Sequence, residues 1–117
     1  MSEDWDGFAH DWIAAWNARD PDRILPHYAE ALEFESPMVR KLGHSADGRL
    51  TGMAPFAAYV AEALMRAPDL SFDLIAATRG MNGGCVIYRG VGGRLVAEHM
   101  RRDPLGKITA AQVFYGR

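Results

Sequence analysis

Residues 81–115 read MNGGCVIYRGVGGRLVAEHMRRDPLGKITAAQVFY. Turn chemistry interrupts this stretch at intervals. Met81-Asn82-Gly83-Gly84, Gly90-Val91-Gly92-Gly93 and Asp103-Pro104-Leu105-Gly106 supply the residues that tight turns need. The runs between them, residues 85–89, 95–102 and 107–115, read as strands, and so does the run 70–78 before the first turn. Strands joined by successive hairpin turns predict an antiparallel meander.

Towards the N-terminus the period changes. Trp5, Phe8, Ala9, Trp12, Ile13 and Trp16 alternate gaps of three and one, which makes one face of a helix. Ser2 is placed to cap this helix, and Asn17-Ala18-Arg19 ends it. Asp20-Pro21 starts a second, short helix with Ile24, Leu25 and Tyr28 on its buried side. Residues 31–36 alternate Leu32, Phe34 and Ser36 with Glu33 and Glu35, a strand that Pro37 ends or bulges. Residues 43–52 read as a loop, and residues 54–66 as a third helix with Phe56, Tyr59, Val60, Ala63 and Leu64 inward. The expected architecture is α+β, with three helices on one face of a curved sheet.

The length of 117 residues predicts a single domain over 1–117. A chain of that size buries roughly two-thirds of its unfolded surface, enough for a core without staples. Composition is ordinary for a globular protein, with 49% hydrophobic and 24% charged residues. A net charge of −2 gives no basic surplus for phosphate backbones, so nucleic acid is not an expected partner. The acidic start Met1-Ser2-Glu3-Asp4 is not a signal peptide, and no apolar run approaches the ~20 residues of a membrane span. The expected location is the cytoplasm, with no membrane partner. The single Cys85 lies in an apolar run and reads as a structural thiol.

Several kinds of chemistry are disfavoured. Gly90, Gly92 and Gly93 precede no helix, so they do not form a phosphate loop. No His or Cys spacing suggests a metal site, and Glu98 and His99, adjacent on a strand, face opposite ways. Ser36 sits in no nucleophile elbow. His10, His27 and His44 read as surface residues. No cofactor is implied.

The informative segment is Leu95-Val96-Ala97-Glu98-His99-Met100-Arg101. Its alternation leaves two phases open, one burying Val96, Glu98 and Met100, the other Leu95, Ala97 and His99. A buried Glu98 is either a structural group bonded to a Tyr or Trp, or a pocket acid or base. The aromatic residues Trp12, Trp16, Tyr28, Phe34 and Phe56 are either core or the wall of a cavity.

Trp16-Asn17-Ala18-Arg19-Asp20-Pro21-Asp22, Tyr28-Ala29, Phe34-Glu35-Ser36-Pro37, Pro68-Asp69-Leu70-Ser71-Phe72 and Glu98-His99-Met100 occur in an order that resembles the nuclear transport factor two-like superfamily, in its SnoaL-like branch. The resemblance covers almost the whole chain. It implies a cone-shaped fold whose helices pack in the concave side of the sheet around a deep pocket. It also implies a homodimer through the outer sheet face, with Glu98 inward and His99 outward.

Among the ketosteroid isomerases of that superfamily, the resemblance places the general-base Asp at Ser36, the oxyanion Tyr at Trp12, the protonated Asp at Glu98 and a supporting Tyr at Tyr28. A serine without a partner base does not abstract a carbon-bound proton at useful rates, so steroid isomerisation is not expected. Related cyclases and epoxide hydrolases need a pocket carboxyl or an Asp–Arg–Asp type cluster. Arg40 is expected near the mouth without a second inward carboxylate. The stretch 38–52 is expected to cover the pocket.

Three readings follow. In the first, Glu98 is catalytic and donates to a carbonyl or epoxide oxygen, making the chain an isomerase, cyclase or hydrolase. Trp12, Tyr28 and Ser36 then orient the ligand, while Trp16, Phe34, Met38, Phe56 and Met100 line an apolar wall. In the second, the pocket only binds a small molecule. In the third, the chain is a dimeric interaction or assembly domain.

Overall fold

The computed structural model describes residues 4–116. The first helix, α1, spans Trp5–Asn17. Its cap is Asp4, whose side chain accepts from the Gly7 N–H at 2.9 Å; Ser2 lies outside the described residues. The helix stops where Arg19 takes a left-handed φ of 59°. That turn sends the Arg19 guanidinium to the Ala67 and Leu64 carbonyls, which closes the end of another helix.

Asp20 caps the short α2, Pro21–Ile24, through the Asp22 N–H, with Pro21 at its first position. Tyr28, read from the sequence as part of this helix, instead opens strand β1, Tyr28–Glu35. Pro37 does more than end that strand: it begins α3, Pro37–Lys41, capped by the Ser36 side chain. The expected loop after it contains a short strand, β2, Arg49–Thr51, which pairs antiparallel with β1. The helix count therefore rises from three to four, and β2 joins the sheet.

Next come α4, Met53–Arg66, and then β3, Asp73–Arg79. β3 starts later than the sequence predicts because Asn17 pairs with both backbone groups of Phe72, donating to its carbonyl at 3.0 Å and accepting from its N–H at 2.7 Å. β4 spans Gly83–Arg89, β5 Leu95–Arg102 and β6 Ile108–Tyr115. Gly83 and Gly84 belong to β4 rather than to the turn. A Cβ on Gly83 would fall 1.9 Å from the Met100 carbonyl oxygen, and one on Gly84 2.0 Å from that of Thr78. Glycine lets the strands approach that closely.

The sheet order is β2-β1-β6-β5-β4-β3. The expected meander β3 to β6 is antiparallel throughout, and β1 joins it parallel to β6. Register shifts in β1, β3 and β5 mark irregularities of the kind that bend a sheet. The helices cover the concave face. Trp12, Phe56, Val60, Val86, Val96 and Met100 are buried there to within 2% of full burial. Each large side chain so buried stabilises the fold by about 1.5–3 kcal/mol relative to exposure.

Candidate functional site

A cavity of about 430 Å³ lies between the inner sheet face and the helices. That volume falls in the range of small-molecule sites. Wider depressions elsewhere on the surface are shallow and open, and none is lined by Glu98.

Strand register decides what faces the cavity. In β5, Val96, Glu98 and Met100 point inward and His99 outward. Glu98 pairs across the sheet with Val86 on one side and Val113 on the other. Its carboxyl thus sits in an apolar row, 3% exposed. Tyr88, two residues along β4 from Val86, donates its hydroxyl to Glu98 Oε1 at 2.9 Å. Among the described residues that is the carboxyl's one hydrogen bond. Burial pushes the Glu98 pKa up to about 7, and the Tyr88 bond pulls weakly the other way.

Burial also raises the pKa values of the surrounding tyrosines. Tyr28, Tyr59, Tyr88 and Tyr115 all move up for that reason first, with the nearby Glu98 charge adding to it. All four therefore stay protonated near neutral pH, and Tyr88 serves Glu98 as a neutral donor. The Ser36 hydroxyl partly opposes the shift at Tyr59 and Tyr115. Ser36 itself is 1% exposed, lines the cavity, and accepts from the Met38 N–H at 3.2 Å as the α3 cap. It has a structural duty and no base beside it.

Of the residues expected at the site, Trp12, Trp16, Phe34, Ser36, Met38 and Glu98 share the cavity wall. Tyr28, Phe56 and Met100 do not line it. Phe56 stands behind Phe34, with ring centres 4.9 Å apart, and packs on Tyr28 at 4.5 Å. Met100 is fully buried in the core further along β5. Tyr28 acts from behind: its hydroxyl accepts from Trp12 Nε1 at 3.0 Å. The Trp12 N–H is thereby engaged within the protein and is not available to a ligand. Trp16 Nε1 is buried with no hydrogen-bond partner among the described residues.

Some lining residues were not foreseen. Tyr88 and Phe72 pack with tilted rings, centres 4.5 Å apart, and meet Trp12 at 5.5 and 6.1 Å. Tyr59 and Tyr115 close the side near Ser36. Lys41 rather than Arg40 reaches the opening. His44 is not a free surface residue: half-buried, its Nε2 meets Glu62 Oε1 at 2.6 Å, while its backbone N–H donates to the Val39 carbonyl after α3. Among the described residues no group of three or more His, Cys, Asp or Glu side chains is placed to hold a metal.

The fold and this constellation fit one family. A family model described as SnoaL-like domain matches residues 9–113. The chain belongs to the SnoaL-like family. It is thus a member of the nuclear transport factor two-like superfamily. This SnoaL-like chain is 39% identical to a SnoaL-like protein of unknown function from Burkholderia thailandensis E264, with 96% of this chain and 93% of that one covered and a TM-score of 0.91. It shares its fold with a SnoaL-like family protein from Agrobacterium tumefaciens strain C58 that is named as a candidate isomerase, at 18% identity, 97% coverage of both chains and a TM-score of 0.76. A candidate ketosteroid isomerase from Kribbella flavida DSM 17836 has the same fold at 16% identity, 95% and 76% coverage and a TM-score of 0.71. Among curated proteins, none matches.

Proposed function

We propose that this SnoaL-like chain binds a small, mainly apolar, ring-bearing molecule and that Glu98 exchanges a proton with it. One observation carries this reading: a carboxyl with a single protein partner lies in the wall of an aromatic cavity, with its pKa pushed up to about 7. A group at that value is half protonated near neutral pH, so it both gives and takes a proton readily. Placed against a carbonyl or epoxide oxygen, protonated Glu98 donates a hydrogen bond or the proton itself. With a ketone, its conjugate base then takes a proton from the carbon next to the carbonyl, which leaves the enol and returns Glu98 to its protonated form. Tyr88 fixes the carboxyl's orientation, and Trp16, Phe34 and Phe72 hold the ring. Similarity in fold to candidate isomerases agrees with this class of chemistry.

The test uses 2-tetralone, whose ring carbonyl makes the adjacent hydrogens exchangeable. Exchange in D2O is followed by NMR for the wild type and Glu98→Gln. Wild type is expected to accelerate exchange, with the rate changing through pH ~7, and Glu98→Gln to lose roughly 100-fold or more of that acceleration. Equal rates for both proteins would remove Glu98 from the chemistry.

A binding role without turnover is favoured by one feature. The position that the resemblance gives to a general base is held by Ser36, which caps α3, and Glu98 is the one carboxyl in the lining among the described residues. On that reading tetralone raises the melting temperature but exchanges at the solvent rate. We also propose that two copies pair through the outer sheet face, where Ala76, Ile87, Ala97 and Phe114 fall in register and Phe114 is 55% exposed. Sedimentation checks this, with Phe114→Glu expected to yield monomer.

A further inference from the structure

The cavity changes character from floor to mouth. Its buried wall is mainly aromatic and aliphatic, with Glu98 as its one carboxyl among the described residues. The exposed residues in its lining are Lys41, Arg66, Val91 and Arg94. They come from the end of α3, the end of α4 and the turn between β4 and β5. The mouth is therefore cationic on a chain whose net charge is −2.

Helix ends account for only part of this. Lys41 and Arg66 close α3 and α4, where a cation offsets the helix dipole. Yet Arg19 already binds the last carbonyls of α4, and Arg94 follows only a single 3-10 turn, Val91–Gly93, which is too short to carry an appreciable dipole. Arg94 is held in place instead. Its guanidinium lies 4.6 Å from the centre of the Tyr115 ring, and Nη2 donates to the Gly116 carbonyl at 3.2 Å. Arg94 also lines the cavity at an exposed position, and a guanidinium offers five N–H donors in a fixed fork. Arg66 meets Glu62 through Nε at 3.0 Å, and Glu62 does not line the cavity. Charges of one sign around a low-dielectric cleft focus the field and draw in the opposite charge.

We infer that the ligand of this cavity is a ring-bearing carboxylate, its ring among Trp16, Phe34 and Phe72 and its carboxylate at the mouth against Lys41, Arg66 and Arg94. This rests on the reading of the cavity as a small-molecule site and adds the substrate's charge and orientation to it. A carboxylate pointing the other way would meet Glu98 in an apolar row, where a second negative charge is strongly disfavoured. The oxygen that faces Glu98 must then belong to an uncharged group at the opposite end of the molecule.

The probes are 2-naphthoate and its neutral counterpart 2-naphthamide, titrated at pH 6 and low salt with tryptophan fluorescence as the readout. The expected result is that naphthoate binds about tenfold more tightly, and that added salt shrinks the preference. In the triple variant K41Q/R66Q/R94Q, whose changes all lie at exposed positions, the two probes should bind alike. Equal binding to the wild type, or a naphthoate preference that survives in the triple variant, would overturn the inference while leaving the cavity as a site for neutral ligands. Binding of neither probe to the wild type would overturn the cavity reading as well.

Discussion

Glu98 and Glu62 lie in two regions of one small protein and are driven in opposite directions. Glu98 sits between Val86 and Val113 with one neutral hydroxyl as partner, and burial lifts its pKa to about 7. Glu62, on α4, meets His44 Nε2 at 2.6 Å and Arg66 Nε at 3.0 Å. The His44 hydrogen bond, with Arg66 adding to it, holds the Glu62 carboxyl below the usual range. Both glutamates have hydrogen-bond donors. What differs is the charge and wetness of the surroundings, so one carboxyl is suited to exchanging protons and the other to fastening the loop after α3 onto α4.

The largest expected effect comes from erasing the Glu98 side of this contrast. The folded-state pKa of Glu98 lies above its unfolded value, so any stability linked to it is fully present below about pH 4.5 and is lost as pH rises through about 7. Glu98→Gln should therefore be more stable than the wild type above pH 8, by on the order of 3 kcal/mol, and nearly equal to it at pH 4. Urea unfolding across that range checks both ends. A Gln variant less stable at every pH would make Glu98 a structural group.

A smaller effect should follow from Tyr88→Phe, which leaves Glu98 without its one donor. Because that hydrogen bond lowers the Glu98 pKa, its loss should raise the midpoint above about 7, read from the side-chain carboxyl carbon by NMR. Stability should fall by about 1–2 kcal/mol above that midpoint and by less below it. An unmoved midpoint would separate Tyr88 from the carboxyl.

Glu62→Gln should have the smallest effect and the opposite pH dependence. Stability linked to a depressed pKa is present above the unfolded value and lost as pH falls through the folded one. The variant should thus be slightly less stable than the wild type near pH 6, and the two should converge in acid and in high salt. Thermal melts at several salt concentrations would show it, and a salt-independent difference would contradict the pairing.

Much of this contrast was legible in the residues. The turns at Gly90–Gly93 and 103–106 punctuate strands so firmly that β5 was placed at its observed ends. The inward phase of Glu98 was not decidable locally, because Leu95, Val96 and Ala97 are all apolar; the family resemblance supplied it. Tyr88 was hidden for the same reason, since Cys85 through Tyr88 is apolar on both faces. The segment from Pro37 to Thr51 was the least legible. Its short helix is set by a Ser36 cap and its short strand by pairing with β1, and neither leaves much periodicity. Met100 and Phe56 show the reverse limit. Inward alternation identifies core but does not say how far along a strand or helix a cavity extends.

The order of the sheet has a consequence for how the protein is made. β6 lies between β1 and β5, so the earliest strands share no edge with the meander until residues 108–115 exist. Until then β1 and β2 form a two-strand ribbon of the kind that is marginal alone in water, beside a meander with a bare edge. During synthesis the halves must wait as neighbours, and closing the gap joins positions about eighty residues apart, such as Tyr28 and Ile108. A chaperone able to shield an unpaired strand would find its opening in that interval, while the last strand is still being translated.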